Sequence, residues 1–265
     1  MMSNDESFSP GKPMFTHAIA RTPGPDAADG LTTAGLGRAD LPALRCQHAA
    51  YVATLEELGL AITHLDPLPG HPDAYFVEDA ALMFPELAVI TRPGAPERLA
   101  EAEAIATAVA AFRPIHRLAD PATLDGGDVL LVEKTVFVGL SARSNAKGAG
   151  QLAAILAPFG YRVIPIPVPA GLHFKSSITW AGGDALVLTA ALASRPELAG
   201  YRRLVVPDEE NYAANVLWIN GTVLMPQGFP RTQALLEGLG VPLRILDQSE
   251  VRKMDGALTC MSLRF

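Results

Sequence analysis

The sequence predicts an α/β protein made of five repeats, each containing a β-hairpin, an α-helix and a further strand. Segments with helical and strand periodicity alternate along the 265 residues, and the pattern recurs about every 50 residues. The chain also begins and ends with an isolated apolar strand. If these two strands pair, they complete the fifth hairpin and close a ring without exposed sheet edges. An open α/β sheet is the alternative.

Five helices are predicted from capping residues and apolar spacing. The first begins after Asp40, a good N-cap, and stops at Gly59. Proline at the first helical position favours two of the others. The remaining four are predicted after Pro96, after Ser144, near residues 190–199 and after Pro230.

A short apolar strand follows each predicted helix, and hairpins fill the segments between that strand and the next helix. Asn220-Gly221 is a strong signal for a two-residue hairpin turn. The two terminal strands are FTHAIAR at 15–21 and the final segment ALTCMSLRF. The strands after the helices are predicted at 60–65, 115–118, 161–168, 202–207 and 243–247.

Composition indicates a globular protein with a sizeable core, since 49% of the residues are hydrophobic and 18% are charged. The net charge of −7 argues against nucleic-acid binding, and no apolar run is long enough for a membrane span. Residues 1–13 lack the features of a signal peptide and are expected to be a disordered lead before a single α/β domain at 14–265. Two distant cysteines then predict free thiols and a cytoplasmic location.

Unusual polar residues occur at the same place in each repeat, at the start of the first hairpin strand. In a ring, equivalent positions converge on the axis, so these residues are expected to line one central pocket. Taken alone, each motif is more often structural than functional. The motifs are Asp73 with FVED, LDGGD at 124–128, LHFKSS around His173, EENYAAN ending at Asn215, and MDGALTC ending at Cys260.

A lone thiol with a distant histidine and aspartate is typical of an enzyme that uses a cysteine as its nucleophile. Cys260, His173 and the two carboxylates of LDGGD at 124–128 supply these groups. The histidines and the two cysteines show no metal-binding spacing, and no phosphate-binding loop is present. We therefore expect neither a metal nor an organic cofactor.

The motifs resemble those of the dimethylarginine dimethylaminohydrolases, cysteine hydrolases of the guanidino-group-modifying superfamily. The resemblance runs from about Phe15 to Phe265 and rests on motifs in constant order. They are DGLTTAGLG, FVED, ITRPGAPER, LDGGDVL, VGLSARSNAKG, LHFKS, NYAANVLWIN and MDGALTCMSLRF. The resemblance implies a five-bladed α/β propeller of pseudo-symmetric ββαβ modules, in agreement with the repeat.

The resemblance also implies a role for individual residues. Cys260 matches the nucleophile, His173 the general acid and base, and Asp125 the carboxylate that aligns both the guanidinium and the histidine. Some relatives have Glu at position 125. The matches to substrate-binding positions are Asp73, Glu78 and Asp79, Arg98 and Arg143 for the α-carboxylate, Leu31 on a mobile lid, and Met254 through its backbone.

The implied reaction hydrolyses asymmetric dimethylarginine and monomethylarginine to citrulline, releasing dimethylamine or methylamine. It proceeds through a covalent thiouronium-type intermediate on Cys260. A methylated arginine is the only partner implied, with no nucleic acid or membrane, and a homodimer is left open. An arginine deiminase, an amidinotransferase and an inactive guanidino-amino-acid binding protein remain as alternatives.

The ionisation of Cys260 follows from the charges expected around it. Burial and four neighbouring carboxylates disfavour a thiolate, and they should outweigh one imidazolium. We therefore expect a mostly protonated thiol at neutral pH, with the bound guanidinium lowering the thiol pKa.

Overall fold

A computed structural model describes residues 14–168 and 172–265 of the chain, and the predicted lead at 1–13 lies outside them. The described residues form five three-stranded sheets. In each sheet the middle strand pairs antiparallel with one neighbour and parallel with the other. The mixed α/β fold with five repeated sheets is therefore confirmed.

The sheets follow the repeat predicted from the sequence. The first contains β1 (His17–Arg21), β2 (Ala61–Leu65) and β15 (Leu263–Arg264); the second β3 (Ala81–Met83), β4 (Ala88–Ile90) and β5 (Ile115–Arg117); the third β6 (Val129–Val132), β7 (Thr135–Leu140) and β8 (Arg162–Pro167); the fourth β9 (Ile178–Trp180), β10 (Ala185–Leu188) and β11 (Arg202–Val205); the fifth β12 (Leu217–Ile219), β13 (Thr222–Pro226) and β14 (Leu243–Leu246).

The two ends of the chain meet in the first sheet, as predicted. β1 lies between β15, to which it is antiparallel, and β2, to which it is parallel. Ala18 is opposite Arg264 and Ile19 is opposite Leu263. The final segment is mostly not a strand, however. Only two of its residues belong to β15, and Cys260 lies in the turn before them.

Buried apolar clusters connect each sheet to the next around the ring. One cluster joins the first and second sheets and another joins the second and third. A third cluster extends from the third sheet through the fourth to the fifth. The last cluster joins the fifth sheet to the first through Leu217, Leu224 and Ala18. Side-chain packing thus closes the ring and places the turns before the first strands around its axis.

In the part of the chain that the structure describes, five α-helices accompany the sheets: α1 (Leu41–Glu57), α2 (Leu99–Ala110), α3 (Ala146–Leu156), α4 (Pro230–Glu237) and α5 (Ser249–Lys253). The Asp40 side chain caps α1 by accepting a 2.8 Å hydrogen bond from the backbone N–H of Ala43. Asn145 caps α3 in the same way. Both caps satisfy N–H groups that have no partner within the helix.

The helix predicted at 190–199 is wrong, and α5 was not predicted. Residues 190–199 contain two 3-10 turns, Ala190–Leu192 and Pro196–Leu198. Arg195 between them is extended because it precedes a proline, which disfavours helical dihedrals and lacks an N–H for the helix ladder. α5 has only five residues, too few for a periodic apolar pattern.

The Asn220-Gly221 turn is confirmed. It joins β12 and β13, and both residues have positive φ angles, 46° and 91°. A type I′ hairpin turn requires this combination.

Within the described residues, helices are too short or too polar to cross a bilayer.

Candidate active site

The polar motifs lie in 3-10 turns just before the first strand of a hairpin, rather than within the strand itself. Four of the sheets have such a turn: Val77–Ala80, Gly126–Asp128, Phe174–Ser176 and Asp208–Ala214. Neighbouring turns contact one another around the axis. The repeat thereby brings together residues that are far apart in sequence.

Asp79 of the first of these turns and His173, which immediately precedes the third, line a small cavity, hereafter the active-site cavity. Eight of the ten predicted site residues line it, and Glu78 and Asp125 do not. Phe76, Leu172, Asp255 and Gly256 line it as well. The predicted residues in the lining are Leu31, Asp73, Asp79, Arg98, Arg143, His173, Met254 and Cys260.

Asp125 is fully buried beneath the cavity and orients the histidine. Its Oδ2 lies 2.9 Å from Nε2 of His173, and its Oδ1 accepts a 2.7 Å hydrogen bond from the N–H of Gly94. Both carboxylate oxygens therefore have partners. The shorter Asp side chain still reaches the histidine, which leaves Nδ1 as the ring nitrogen that is not bonded to Asp125.

Two glycines of LDGGD allow this close packing. Neither has a positive φ angle. A Cβ at position 126 would clash with the carbonyl oxygen of Glu78, and one at position 127 would lie 2.8 Å from both Asp79 Oδ1 and His173 Nδ1. Without side chains at 126 and 127, the turns carrying Asp79 and His173 can approach Asp125 closely.

Asp79 and Arg98 form a buried ion pair in the wall of the cavity. Oδ2 of Asp79 lies 2.5 Å from Nη1 of Arg98, and Oδ1 accepts from the N–H of Gly127 at 2.8 Å. Burial opposes ionisation, but His173 and Arg98 outweigh it and lower the Asp79 pKa to about 2. Asp79 is therefore a carboxylate at neutral pH.

Arg98 was predicted to bind the substrate's α-carboxylate, yet most of its donors already have acceptors. Its Nε and Nη2 both donate to Oε2 of Glu101, at 2.9 and 2.7 Å. Nη2 also donates to the Phe76 carbonyl at 3.0 Å. The α-carboxylate contact of Arg98 stays a prediction.

Arg143 differs from Arg98 in this respect. It is half-buried in the cavity wall, and its guanidinium has no hydrogen bond or ion pair with any residue in 14–168 or 172–265. It is therefore a cation whose donors are available to a ligand.

The segment predicted as a lid is held over the cavity by three anchors. The N–H of Leu31 donates to Oδ2 of Asp73 at 3.0 Å. The Thr32 hydroxyl donates to the carbonyl of Lys253, and Thr33 donates to Asp255 through both its N–H and its hydroxyl. Burial raises the pKa of Asp73, while its contact with Leu31 and the charge of Arg98 oppose the shift.

Glu78 lies next to Cys260 but faces a second cavity. Its N–H donates to the Cys260 carbonyl at 3.1 Å. Its Oε1 pairs with Lys175 at 2.6 Å and with Arg264 at 3.0 Å. These three charged residues line the second cavity, so direct contact of Glu78 with substrate stays a prediction.

The predicted nucleophile, Cys260, and the predicted acid and base, His173, both have raised pKa values. Burial lowers the His173 pKa, but the charge of Asp79 and the hydrogen bond and charge of Asp125 outweigh burial and raise it to about 9. Burial, Glu78 and Asp79 raise the Cys260 pKa to about 12. At neutral pH the pair is therefore an imidazolium and a neutral thiol, as expected from the surrounding carboxylates.

The sequence reasoning missed two supporting carboxylates. Asp128 accepts hydrogen bonds from Ser141, Ser144 and the N–H of Phe174, which fixes the residue after His173. It belongs to LDGGD, so the motif contained the signal. Glu101 holds Arg98, and only their i, i+3 spacing could have indicated the pair.

Asp79, Asp125 and His173 also form the one group in the described ranges with metal-ligand geometry, since one ligand atom from each lies within 4.8 Å of the others. Their atoms already bond to Arg98, Gly127, Gly94 and one another. A cation would have to displace Arg98 from Asp79 or compete with the protonated histidine. The expectation of no metal stays a prediction.

Comparisons with known proteins agree with this arrangement. A family model described as arginine deiminase matches residues 63–171. The N(G),N(G)-dimethylarginine dimethylaminohydrolase of Pseudomonas aeruginosa is 40% identical over 254 residues, which cover 95% of this chain and all of the relative.

Two solved structures of such proteins superpose closely, both with a TM-score of 0.93, 40% identity, and coverage of 95% of this chain and 100% of theirs. One is a cysteine-to-serine mutant of the Pseudomonas aeruginosa protein complexed with citrulline. The other is a histidine-to-glycine variant forming an adduct with S-methyl-L-thiocitrulline. This chain belongs to the dimethylarginine dimethylaminohydrolase family.

Proposed function

We propose that this chain is a cysteine hydrolase that converts asymmetric dimethylarginine and monomethylarginine to citrulline and the corresponding methylamine. One observation carries the proposal: a single cavity is lined by Cys260, His173, the carboxylate of Asp79 and Arg143, whose guanidinium is unpaired among the described residues. The relatives that bind citrulline and thiocitrulline support the same substrate class.

The cavity offers charges suited to both ends of the substrate. A guanidinium is planar and cationic, so the Asp79 carboxylate can hold it by charge-assisted hydrogen bonds. Arg143 can bind the α-carboxylate at the far end. Contacts at both ends orient the guanidinium carbon towards Sγ of Cys260, because binding energy away from the reacting bond is used for positioning.

The chemistry then needs one nucleophile and one proton carrier. Sγ of Cys260, after releasing its proton to solvent, bonds to the guanidinium carbon and gives a neutral tetrahedral adduct. Nδ1 of protonated His173 donates a proton to the departing dimethylamine as the C–N bond breaks, since Nε2 is held by Asp125. Water attacks the remaining thiouronium with neutral His173 as base, releasing citrulline and restoring Cys260.

Substrate helps to ionise its own nucleophile in this scheme. The free thiol has a pKa of about 12, mainly because of burial and the charges of Glu78 and Asp79. A guanidinium bound beside Sγ offsets those charges and lowers the pKa when attack is needed. In a Cys46→Ala background, thiolate absorbance at pH 7 should rise on adding a non-reactive guanidino ligand. A fully formed thiolate in the free protein would contradict the scheme.

A citrulline assay with arginine, monomethylarginine and asymmetric dimethylarginine tests the proposal. Release of citrulline from the methylated substrates, with little from arginine, is the expected result. Faster reaction with arginine would identify an arginine deiminase, and transfer to an added amine would identify an amidinotransferase. Binding without turnover would indicate the inactive binding protein. The cytoplasmic location and the homodimer stay predictions, the former supported by two unpaired cysteines.

A further inference from the structure

Asn215 lies between the turn that carries His173 and the turn that carries Cys260. It follows the 3-10 turn Asp208–Ala214 and is only 3% exposed. Its Nδ2 lies 3.0 Å from the carbonyl oxygen of Lys175 and 3.0 Å from Oγ1 of Thr259. Its Oδ1 accepts a 3.2 Å hydrogen bond from the N–H of Thr259.

The chemistry of the partners determines how the Asn215 amide is oriented. The Lys175 carbonyl can only accept a hydrogen bond, so it must face the NH₂ group. The Thr259 N–H can only donate, so it must face the amide oxygen. A side chain that connects the Lys175 carbonyl to the Thr259 N–H must therefore carry both a hydrogen-bond donor and an acceptor, as the Asn215 amide does.

The hydrogen bonds of Asn215 connect residues that lie one or two positions along the chain from His173 and Cys260. Lys175 is two residues after His173, and Thr259 immediately precedes Cys260. Asn215 does not line the active-site cavity, so it acts through these neighbours rather than on the substrate. Its three hydrogen bonds are buried, where they are stronger than in water and hold geometry more tightly.

We propose that Asn215 is a positioning residue for the reaction, holding the His173 turn at a fixed distance from Cys260. The inference rests on the proposed function. Attack and proton transfer need Sγ and the imidazole to be placed together on one substrate carbon, and a displacement of about 1 Å can lower the rate by about 100-fold.

Loss of the link should therefore reduce kcat more than it raises KM. Asn215→Ala removes all three hydrogen bonds, and a kcat decrease of about 10- to 100-fold is expected, with KM little changed. Asn215→Asp conserves the side-chain volume and keeps the acceptor for Thr259, but cannot donate to Lys175. Asn215→Asp should also lower kcat, and it replaces the alanine variant as the test if Asn215→Ala does not fold.

Thr179→Val is the matched control. Thr179 is 2% exposed and makes two buried hydrogen bonds, donating to the carbonyl of Ala214 at 2.6 Å and accepting from the N–H of Val216 at 3.0 Å. Its two hydrogen bonds therefore go to the residues on either side of Asn215, and neither goes to Lys175 or Thr259. A loss of buried hydrogen bonds alone would affect both variants similarly.

The deciding measurement is the alkylation rate of Cys260 by iodoacetamide against pH, in a Cys46→Ala background, alongside kcat and Tm. Asn215→Ala should shift the alkylation profile and lower kcat, whereas Thr179→Val should lower Tm only. Equal Tm losses with wild-type profiles and kcat in both would overturn the proposal. Alkylation needs no substrate. If the protein fails to release citrulline from methylarginines, the proposed function is refuted, and the alkylation profiles and Tm values of the two variants can still be compared.

Discussion

The buried floor of the active-site cavity and its exposed rim differ in how many polar atoms already have partners. The floor consists of Asp79, Arg98, Asp125 and His173, all buried: Arg98 donates to Asp79 at 2.5 Å, and His173 Nε2 lies 2.9 Å from Asp125. The rim consists of Leu31, which is 43% exposed, and Arg143, whose guanidinium has no partner among the described residues. A preorganised floor suits bond breaking, and a rim with free donors suits capture of the substrate.

Removal of the nucleophile should have the largest effect. Cys260→Ser should reduce citrulline release to background, because a hydroxyl is a much poorer nucleophile without strong activation. The fold should be intact, since one sulfur atom is replaced by a smaller oxygen. Cys46→Ala is the control, because Cys46 is exposed on α1. If Cys46→Ala were the inactive variant, the assignment of Cys260 would be wrong.

Loss of His173 from the floor should lower kcat by about 100- to 10,000-fold, the usual contribution of general acid–base catalysis. Substrate should still bind to His173→Ala, as calorimetric titration with asymmetric dimethylarginine would show. A variant that loses binding together with activity would indicate a structural histidine.

The pH profile provides a second test of His173. The raised pKa of about 9 keeps the imidazole protonated through neutral pH, so the proton needed by the leaving amine is present below that value and lost above it. The kcat of the wild type should fall as pH rises through about 9. Asp125→Asn removes a carboxylate that raises the pKa, so the fall should move to lower pH. An unmoved alkaline limb would exclude this role of Asp125.

Arg98 and Arg143 allow the floor and rim to be compared with the same substitution. Arg98→Ala leaves Asp79 and Glu101 buried without their cation, and should lower the free energy of unfolding by about 3–5 kcal/mol. Arg143→Ala should change it by less than about 0.5 kcal/mol, because its guanidinium has no hydrogen bond or ion pair with the described residues to lose. Urea unfolding measures both. Similar losses for the two variants would remove the distinction between floor and rim.

Arg143→Ala should instead affect binding. A charge-assisted contact contributes roughly 1.5–3 kcal/mol, so affinity for the intact amino acid should fall about tenfold or more. A simple alkylguanidine without the carboxylate should bind as before. Arg117→Ala, which removes an exposed arginine paired with Glu103, is the control. Equal losses for both ligands would exclude Arg143 from the carboxylate site.

Eight of the ten residues predicted for the site line the active-site cavity. The sequence predicted the repeat and the end-to-end pairing, because periodicity and turn residues are local signals. Asn220-Gly221 is an example. The sequence could not predict which charged groups pair in three dimensions. The motifs contained Arg98 and Glu78, but their ion pairs with Asp79, Glu101, Lys175 and Arg264 depend on packing between turns. The helix at 190–199 failed because Pro196 interrupts an otherwise helix-compatible composition.

The anchors of the lid should give the smallest effect. Thr33→Val removes one hydroxyl hydrogen bond of 2.9 Å to Asp255 and keeps the bond from the backbone N–H. Solvent exposure limits this hydrogen bond to a carboxylate to about 0.5–1.5 kcal/mol, so KM should rise about two- to tenfold while the fold is unaffected. Thr54→Val is the control, because the Thr54 hydroxyl bonds to the Ala50 carbonyl on α1, away from the cavity. A kcat loss in Thr33→Val as large as that of His173→Ala would contradict the distinction between a floor for bond breaking and a rim for substrate binding. It would mean that the rim contributes to the chemical step.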